Sequence, residues 1–414
     1  MQRISSNLPF QDLQYALRRQ EAELNTRNGR VANQSAISGL RDDPLAAGHS
    51  VRYKSYLARL ERFDRNVQTL SDRFKITEGY MSSSMEVLQR VRELAVSGAN
   101  GTYTREDLGN MAAEVDELLK ELLVNGNASG PDGVRVFSGS KSHTEPFEAV
   151  YGSVNGAGNP VVREVRYNGS LGEKRVEVDE GAFLEADYAG NRTFWAEPQT
   201  LFSQVDATGY VVPADTSIVV DGVDIPLAAG DTVYAVIAKI NASGAAVKAG
   251  LDPVTNGLNL TTTDTRQLWL QDGAGGSVLS SLGLIREGQR PPYNTADSVR
   301  VSGGSLFDAV ISLRDAMYSG DQEAIGGRIL GALDGAVDNL SARMAELGSR
   351  YERAEAVSAR LAVQTLNTQA ADSREVDLDF TKAVTDLKML EYAHQAALST
   401  AGKLYTDTLL NYLR

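Results

Sequence analysis

Few residues in this chain of 414 residues have the types and spacing that catalysis or metal binding requires. The sequence has three histidines, His49, His143 and His394, and no cysteine. No histidine is followed four residues later by another, so the His-x-x-x-His pattern of helical zinc sites is absent. Without cysteine, neither a thiolate nucleophile nor a thiolate metal site can form. We therefore predict that the protein is not an enzyme and that it binds neither a metal nor a cofactor.

Two glycine-rich stretches and an acidic cluster have simpler explanations than a site. Residues 156–158 and 273–276 look like phosphate-binding loops, but they lack the Gly-Lys-Ser/Thr that contacts phosphate, and we interpret both as turns. The cluster Glu114, Asp116 and Glu117 could supply paired acids and bases. It falls on a charged helix face, however, and we expect these carboxylates to be solvated.

The charge and hydropathy of the sequence argue against two classes of partner. Lysine and arginine number 41 against 54 aspartate and glutamate residues, and the net charge of −13 repels a nucleic-acid backbone. Residues 1–20 contain no continuous apolar stretch of the kind found in a cleaved secretory signal. No other stretch approaches the roughly 18 apolar residues of a membrane helix. We expect no nucleic-acid or membrane partner, and any export must use an uncleaved signal.

A long helix is predicted from apolar side chains that recur every third or fourth residue. It begins at Pro44, a favourable first helical residue after Asp42 and Asp43, and continues to about Gly98 or Gly101. Charged residues separate the apolar ones, so the apolar stripe is narrow and faces a partner helix. The buried seam of this helix is expected to include Leu60, Val67, Leu70, Phe74 and Leu88.

A helix in the C-terminal part of the chain repeats this pattern. Its seam is expected to include Leu333, Leu340 and Leu347. Two such seams can cover each other as an antiparallel coiled coil, which we call the stalk. A shorter helix is predicted from Thr104 to Val124, opened by Thr104 with Asp107 three residues on. The predicted fold is mainly α, with a long coiled-coil stalk formed by the N- and C-terminal segments and a central β or α+β outer domain.

A further helix is predicted at each end of the sequence, at residues 5–31 and 377–413. Together these helices carry more apolar side chains than one helix pair can bury, although Gln20 and Arg27 interrupt the first stripe. Apolar surface of this size needs cover from other subunits, so we predict an assembly and chaperone-binding surface that becomes ordered in a polymer. Its predicted residues are Phe10, Leu13, Leu17, Leu24, Val31, Phe380, Leu387, Leu390, Leu398, Leu404, Tyr405 and Leu409.

The middle of the sequence predicts strands. Asn168-Gly169 is a strong turn signal, and it predicts a hairpin between residues 161–167 and 174–178. Residues 198–285 predict a small α+β module with the order β-β-α-β-β. The predicted domains are the terminal helices (1–43 with 376–414), the helical stalk with β-hairpins (44–190 with 291–375) and the outer domain (191–290).

Several stretches of the sequence resemble the flagellin family. The most specific are LQRVRELAVSGANGTYTREDLGNMAAEVDELL at residues 88–119 and the ending TAGKLYTDTLLNYLR at residues 400–414. The other resembling stretches are RIS at residues 3–5, DDPLAA at residues 42–47 and VFSGSKSHTEPF at residues 136–147. In the middle, Ile240-Asn241 and its surroundings resemble a hook-domain repeat named for its Ile-Asn pair. We expect Ile240 to pack the module's helix on its sheet and Asn241 to end that helix.

This resemblance implies a structural flagellar subunit that is exported unfolded through the flagellar type III apparatus. Within the family, the ending TLLNYLR is similar to that of subunits that join the hook to the filament, and the alternative is flagellin, the bulk filament subunit. The implied partners are other copies of the chain in a ring, the preceding hook-associated junction protein, flagellin and a cytoplasmic export chaperone. The implied location is the flagellum outside the cell, or the periplasm where the flagellum is internal.

Overall fold

The computed structural model describes residues 8–37, 39 and 41–410, and the side-chain surroundings at residues 11–37, 39 and 41–403. Long helices lie toward both chain ends and short strands lie between them, as predicted. In chain order the elements are α1 (Leu8–Asn33), α2 (Pro44–Gly98), α3 (Arg105–Gly126), β1 (Phe147–Gly152), β2 (Val161–Tyr167), β3 (Arg175–Asp179), β4 (Ala182–Glu185), α4 (Gly190–Thr193), β5 (Thr200–Phe202), β6 (Thr216–Val220), β7 (Val223–Leu227), α5 (Val233–Ala242), β8 (Val247–Leu251), β9 (Leu258–Thr262), β10 (Leu270–Asp272), α6 (Val278–Ser281), β11 (Arg300–Ser302), α7 (Leu306–Ser319), α8 (Gln322–Ala324), α9 (Leu330–Val376) and α10 (Phe380–Leu410).

The chain forms two compact units. The terminal unit contains the residues up to Arg65 and from Val357 onward, and the central unit is Asn66–Ala356. The three-domain division predicted from the sequence stays a prediction.

Helix α2 begins at Pro44, as predicted, and ends at Gly98, the earlier of the two predicted ends. A carboxylate oxygen of Asp43 accepts hydrogen bonds from the backbone N–H groups of Leu45 and Ala46, each at 3.0 Å. These bonds satisfy donors that the first helical turn leaves free. Pro44 suits the first position because it has no N–H to leave unpaired, and the helix ends at Gly98.

The side chains assigned to the stalk seam are buried. Each of the following is at most 2% exposed: Leu60, Val67, Leu70, Phe74, Leu88, Leu333, Leu340 and Leu347. Thr77 and Ser84 lie in the same stripe of α2, and each hydroxyl donates to the carbonyl oxygen four residues earlier at 2.8 Å. These bonds satisfy the buried hydroxyls within the helix itself. That all these residues form one continuous coiled-coil seam stays a prediction.

Within the central unit, α2 and α9 lie side by side and antiparallel. Nε of Arg92 is 2.5 Å from Oδ1 of Asp334, and Nζ of Lys75 lies 5.6 Å from the ring centre of Tyr351. From Lys75 to Arg92 along α2, the contacting residue of α9 moves back from Tyr351 to Asp334, over the same number of residues. The two helices therefore run in opposite directions. Exposed contacts of this kind contribute about 1 kcal/mol or less each to the stability of the folded chain. They show in which direction the helices pack, whereas burial of the apolar seam supplies most of the stabilisation.

A buried ion pair joins α3 to α7. The side chain of Arg314 is fully buried, and its Nη1 lies 2.8 Å from Oδ1 of Asp116. Asp116 is only 6% exposed, so the expectation that Glu114, Asp116 and Glu117 share a solvated face is wrong for Asp116. It turns inward because it lies one helical turn after Ala112, on the buried face of α3.

The first four strands of the insert, by which we mean the strand-containing region between α3 and α7, pair differently from the prediction. β1 pairs with β2 and β3 pairs with β4, both antiparallel, so the predicted hairpin between residues 161–167 and 174–178 is wrong. After Asn168 the chain turns away from β2, because the N–H of Ser170 donates to the carbonyl oxygen of Ser138 at 3.0 Å. A hairpin turn occurs instead at Gly181, whose φ of +71° favours glycine.

The strands from β5 to β11 form two antiparallel sheets, ordered β10-β6-β7 and β11-β5-β9-β8. We call this region the central module. Its apolar core draws residues from Leu201 to Ile285, including Val233, Val236 and Ile240 of α5. The predicted order β-β-α-β-β occurs as β6, β7, α5, β8 and β9, and the short strands β5 and β10 extend it.

Asn241 of the Ile-Asn pair has a different role from the one expected. The side chain of Ile240, in α5, is fully buried, as expected. Helix α5 continues to Ala242, however, so Asn241 does not end it. Its side-chain amide donates to the carbonyl oxygen of Ala249 at 3.1 Å and accepts the N–H of the same residue at 2.8 Å. The amide thereby occupies two backbone groups of the edge strand β8, as a neighbouring strand would.

Arg350 of α9 holds the β3–β4 hairpin against the helix. Its Nη2 lies 2.8 Å from Glu185 and 2.6 Å from Glu346, and its guanidinium covers the ring of Tyr188 at 4.8 Å. Burial first, and then a hydrogen bond with Glu185, raises the pKa of Glu173 to about 7, while the same bond lowers the pKa of Glu185. Below about pH 7 the carboxyl group of Glu173 is therefore mainly protonated beside the Glu185 carboxylate.

The stalk can be tested with Val67→Asp. Val67 is 1% exposed, so a charge there loses its hydration without gaining a partner, and we expect a loss of about 3 kcal/mol or more. Thermal unfolding followed by circular dichroism measures the change. The matched control is Val96→Asp on the same helix, because Val96 is 43% exposed and the substitution should leave the Tm within a few degrees. Equal melting of the two variants would place the seam elsewhere.

The pH dependence of stability tests the shared proton of Glu173. Because the folded chain keeps this proton up to a pKa of about 7 while a free glutamate releases it near 4.5, the stabilisation is complete at low pH and is lost as the pH rises through about 7. Glu173→Gln removes this dependence. Between about pH 5 and about pH 8 we expect the wild-type Tm to fall by roughly 2 °C more than that of Glu173→Gln. The exposed Glu145→Gln should behave as wild type, and parallel pH profiles for all three proteins would contradict the assignment.

Candidate assembly surface

Helices α1 and α10 of the terminal unit form an antiparallel pair. Nη1 of Arg27 in α1 lies 3.3 Å from Oδ2 of Asp386 in α10. Beyond the helices, the N–H of Ala36 donates to the carbonyl oxygen of Val376 at 2.8 Å. Asp379 caps α10 by accepting a backbone N–H of its first turn at 3.1 Å. Local capping and one backbone bridge thus set the direction in which the two terminal helices meet.

The side chains predicted for the assembly surface differ widely in exposure. Leu387 is buried, at 7% exposure. Half-buried members are Leu13, Leu17, Leu24, Val31 and Leu390. Phe380 and Leu398 are exposed, at 55% and 50%. The side chains of Phe10, Leu404, Tyr405 and Leu409 lie outside the described residues. The helix pair therefore covers one side of the predicted surface and leaves another side open.

Three large exposed side chains on these helices were not singled out from the sequence. Tyr15 is 74% exposed, Met389 is 68% exposed and Tyr392 is 70% exposed. Tyr15 falls between two stripe residues of α1, and Met389 and Tyr392 lie on a side of α10 away from Leu387. The sequence feature that could have identified them is the width of the apolar face of α10, which is greater than one partner helix can cover.

Exposed apolar side chains are concentrated in the terminal unit. It contains nine of the twenty large apolar side chains that are exposed among the described residues, although it is the smaller of the two units. The nine are Tyr15, Leu45, Val51, Val363, Leu366, Phe380, Met389, Tyr392 and Leu398. Exposed apolar side chains in this number are common where a protein contacts another protein.

The α1–α10 pair also buries polar atoms without partners. Oε1 of Gln20 and Nδ1 of His394 are buried and have no hydrogen-bond partner within the part of the chain that the structure describes. The antiparallel register set by Arg27 and Asp386 places these two residues at the same level of the pair. An unpaired buried polar atom costs about 1–3 kcal/mol, so the pairing in a single chain leaves part of its own interface unsatisfied.

Among the described residues, ionisable side chains near this surface form only isolated contacts. Nδ1 of His49 lies 3.4 Å from Oε1 of Glu375, and both side chains are more than one-third exposed. Across residues 8–37, 39 and 41–410, no three His, Cys, Asp or Glu side chains are grouped closely enough to hold a metal ion. In the same ranges, no helix combines the length and the apolar character that crossing a membrane requires.

Three family models match the chain. The model of the bacterial flagellin N-terminal helical region matches residues 4–142, and that of the C-terminal helical region matches residues 330–413. The model of the flagellin hook IN motif matches residues 202–264, within the central module.

The chain is also similar to individual flagellar proteins. It is 28% identical over 118 residues to flagellin FlaB1 of Treponema pallidum (strain Nichols), a match covering 28% of this chain and 41% of the relative. It is 22% identical over 211 residues to flagellar hook-associated protein 3 of Escherichia coli (strain K12), covering 50% of this chain and 65% of the relative. Each match spans less than two thirds of the relative. The crystal structure of flagellar hook associated protein-3 from Legionella pneumophila is 19% identical, with coverage of 78% of this chain and 97% of that chain and a TM-score of 0.47.

The matched segments follow the order of the structure. The N-terminal match contains α1, α2 and α3, the hook-motif match lies in the central module, and the C-terminal match contains α9 and α10. Together the three matches account for more than half of the chain, with a helical region at both ends and the motif between them. The chain therefore belongs to the flagellin family.

Proposed function

We propose that this chain is the structural subunit that joins the hook of a bacterial flagellum to its filament and allows flagellin to polymerise on the hook. The observation that carries the proposal is the apolar surface of α1 and α10 that a single chain leaves exposed. Family membership assigns the chain to the flagellum. The similarity to proteins named hook-associated protein 3, together with the ending TLLNYLR, favours the junction within the flagellum.

The exposed terminal side chains supply the energy for assembly. Burying a large apolar side chain contributes about 1.5–3 kcal/mol. Tyr15, Phe380, Tyr392 and Leu398 are each at least half exposed in the single chain, so contact with neighbouring subunits can bury all four. Any rearrangement of α1 against α10 on assembly can also give partners to the buried atoms of Gln20 and His394, which are unpaired within the described part of the single chain.

The same surface explains why the subunit needs protection before assembly. An exposed apolar face on the C-terminal helix promotes premature association in the cytoplasm, and a chaperone that binds α10 prevents it. The proposed partners are therefore other copies in a ring, the preceding hook-associated junction protein, flagellin and an export chaperone. The subunit works without catalysis, outside the cell or in the periplasm, after export by the flagellar type III route.

Flagellin itself is the alternative function. The N- and C-terminal flagellin models and the match to flagellin FlaB1 favour it as a specific possibility. Bulk flagellin and a junction subunit share the helix, insert and helix plan, so the fold does not separate them. Their positions in the flagellum do, because one forms the whole filament and the other forms a short zone at its base.

The decisive experiment is immunogold electron microscopy of isolated hook–filament preparations, with antibody against the central module. A junction subunit gives a narrow band at the distal end of the hook, whereas flagellin gives label along the filament. Deleting the gene supplies the second arm. The expected cells retain hooks, lack filaments and release unpolymerised flagellin into the medium. Label along the filament, or normal filaments after deletion, would overturn the proposal.

Leu398→Asp tests the assembly surface directly. Because Leu398 is 50% exposed, the charge should cost the single chain about 1 kcal/mol or less, while it prevents the residue from being buried against a neighbour. We expect a purified variant with a Tm close to that of the wild type and cells that do not swim in soft agar. The matched control is Val254→Asp in the central module, at a residue that is 86% exposed, and these cells should swim normally. Motile Leu398→Asp cells would remove this face from the assembly surface.

A further inference from the structure

A small pocket lies where the β3–β4 hairpin meets α9. It has a volume of about 280 Å³, and its lining residues are Arg175, Phe183, Leu184, Glu185, Arg350 and Arg353. We call it the hairpin pocket. Three arginines against one glutamate make it basic in a chain whose net charge is −13.

Two side chains of the hairpin pocket face solvent. Phe183 is 51% exposed on β4. Arg353 is exposed on α9 and forms no ion pair with any residue that the structure describes. Arg350, by contrast, is already engaged by Glu185 and Glu346 and forms the rigid floor. The pocket thus offers an aromatic side chain and an uncompensated guanidinium on a fixed support, a combination typical of protein contact sites.

Helix α3 presents a surface of complementary chemistry. Glu117, Glu121 and Val124 follow one another at helical spacings of four and three, so they share one exposed face. Glu117 is 74% exposed and Val124 is 68% exposed. Within the described part of the chain, Glu121 has no ion-pair partner. We call this face the acidic stripe.

The hairpin pocket and the acidic stripe of one copy lie at different levels of α2. The hairpin contacts α2 at Asn66, whose side-chain amide donates to the carbonyl oxygen of Glu177 at 2.8 Å. Helix α3 contacts α2 at Ser83, which accepts a hydrogen bond from Asn125 at 3.1 Å. At 1.5 Å per helical residue, the two levels are roughly 25 Å apart. Arg350 and Arg353 lie between these two levels, near Lys75 of α2, so the pocket and the stripe of one chain are separated along this helix.

We infer that the hairpin pocket of one copy binds the acidic stripe of a second copy. Arg353 pairs with Glu121, and Phe183 packs against Val124; Arg175 and Glu117 already have partners in the same chain, Glu185 at 3.5 Å and Lys120 at 2.6 Å. Opposite charges meet, and each copy covers an apolar side chain that the other leaves in water. The inference deepens the proposed function and rests on it, since it names a contact between neighbouring subunits.

The contact has a consequence for assembly because its two faces differ. When different surfaces of identical chains bind, a bound pair still has one free pocket on one copy and one free stripe on the other. Such contacts continue from copy to copy, so they build a ring or a helical array. A contact between identical faces would instead stop at the dimer.

Cysteine cross-linking in intact flagella tests the contact, and the cysteine-free sequence makes every cross-link informative. A strain carrying Val124→Cys with Phe183→Cys is treated with a short bifunctional thiol reagent. Both residues are exposed, so the substitutions should leave the fold intact. We expect a ladder of dimers, trimers and larger species on a denaturing gel. The controls are each single cysteine variant and Val124→Cys with Val254→Cys, and none of them should give a ladder.

Charge reversal then tests the pairing itself. Adding either Arg353→Glu or Glu121→Arg should weaken the ladder about tenfold, and adding both should restore it. The inference would be overturned if no ladder formed, if Phe183→Cys alone gave dimers, or if the intensity of the ladder did not change on charge reversal. The immunogold label is independent of this result. An immunogold band at the hook end without a cross-linked ladder would contradict only this contact. A cross-linked ladder together with label along the filament would contradict only the assignment to the junction.

Discussion

The apolar stripe of α2 is the constraint on which the rest of the structure depends. Burial of its side chains, at about 1.5–3 kcal/mol each, outweighs the exposed ion pairs along the same helix. A stripe on a helix of 55 residues needs a partner of comparable length, and the chain supplies one in α9, far away in the sequence. Where α9 packs against α2 within the central unit, covering this stripe brings together two parts of the chain that are far apart in the sequence.

Buried charges add specificity to this apolar framework. Arg314 and Asp116 cannot be separated without leaving a charge in a dry interior, so the pair admits one arrangement of α3 against α7. Arg350 acts in the same way on the hairpin, where its bonds to Glu185 and Glu346 hold a two-stranded element that is only marginally stable by itself. In both places the net energetic gain is small, and the main effect is to exclude alternative packings.

The sequence predicts those parts of the fold that depend on local signals. Helix α2 is determined by Asp43, Pro44 and a regular apolar period, all within a few turns of chain, and the insert is recognisable from its turns. Features that depend on distant partners escape such reasoning. Asp116 looks like a surface acid until Arg314 is placed beside it, and Asn168-Gly169 signals a turn without revealing which strand follows. On the predicted assembly surface, the helical spacing of apolar residues identifies Leu387 and Phe380 but overlooks Tyr392. The exposure of Tyr392 depends on which side of α10 the partner helix covers, and the sequence alone does not give this.

The central module begins and ends on neighbouring strands. β5 and β11 pair antiparallel, so the chain enters and leaves the module at almost the same place, and the apolar core from Leu201 to Ile285 lies within it. An insertion whose ends are already joined can grow, shrink or be exchanged during evolution without altering the spacing of the helices that carry it. Substitutions and changes of length can therefore accumulate in this region while the packing of the long helices stays unchanged.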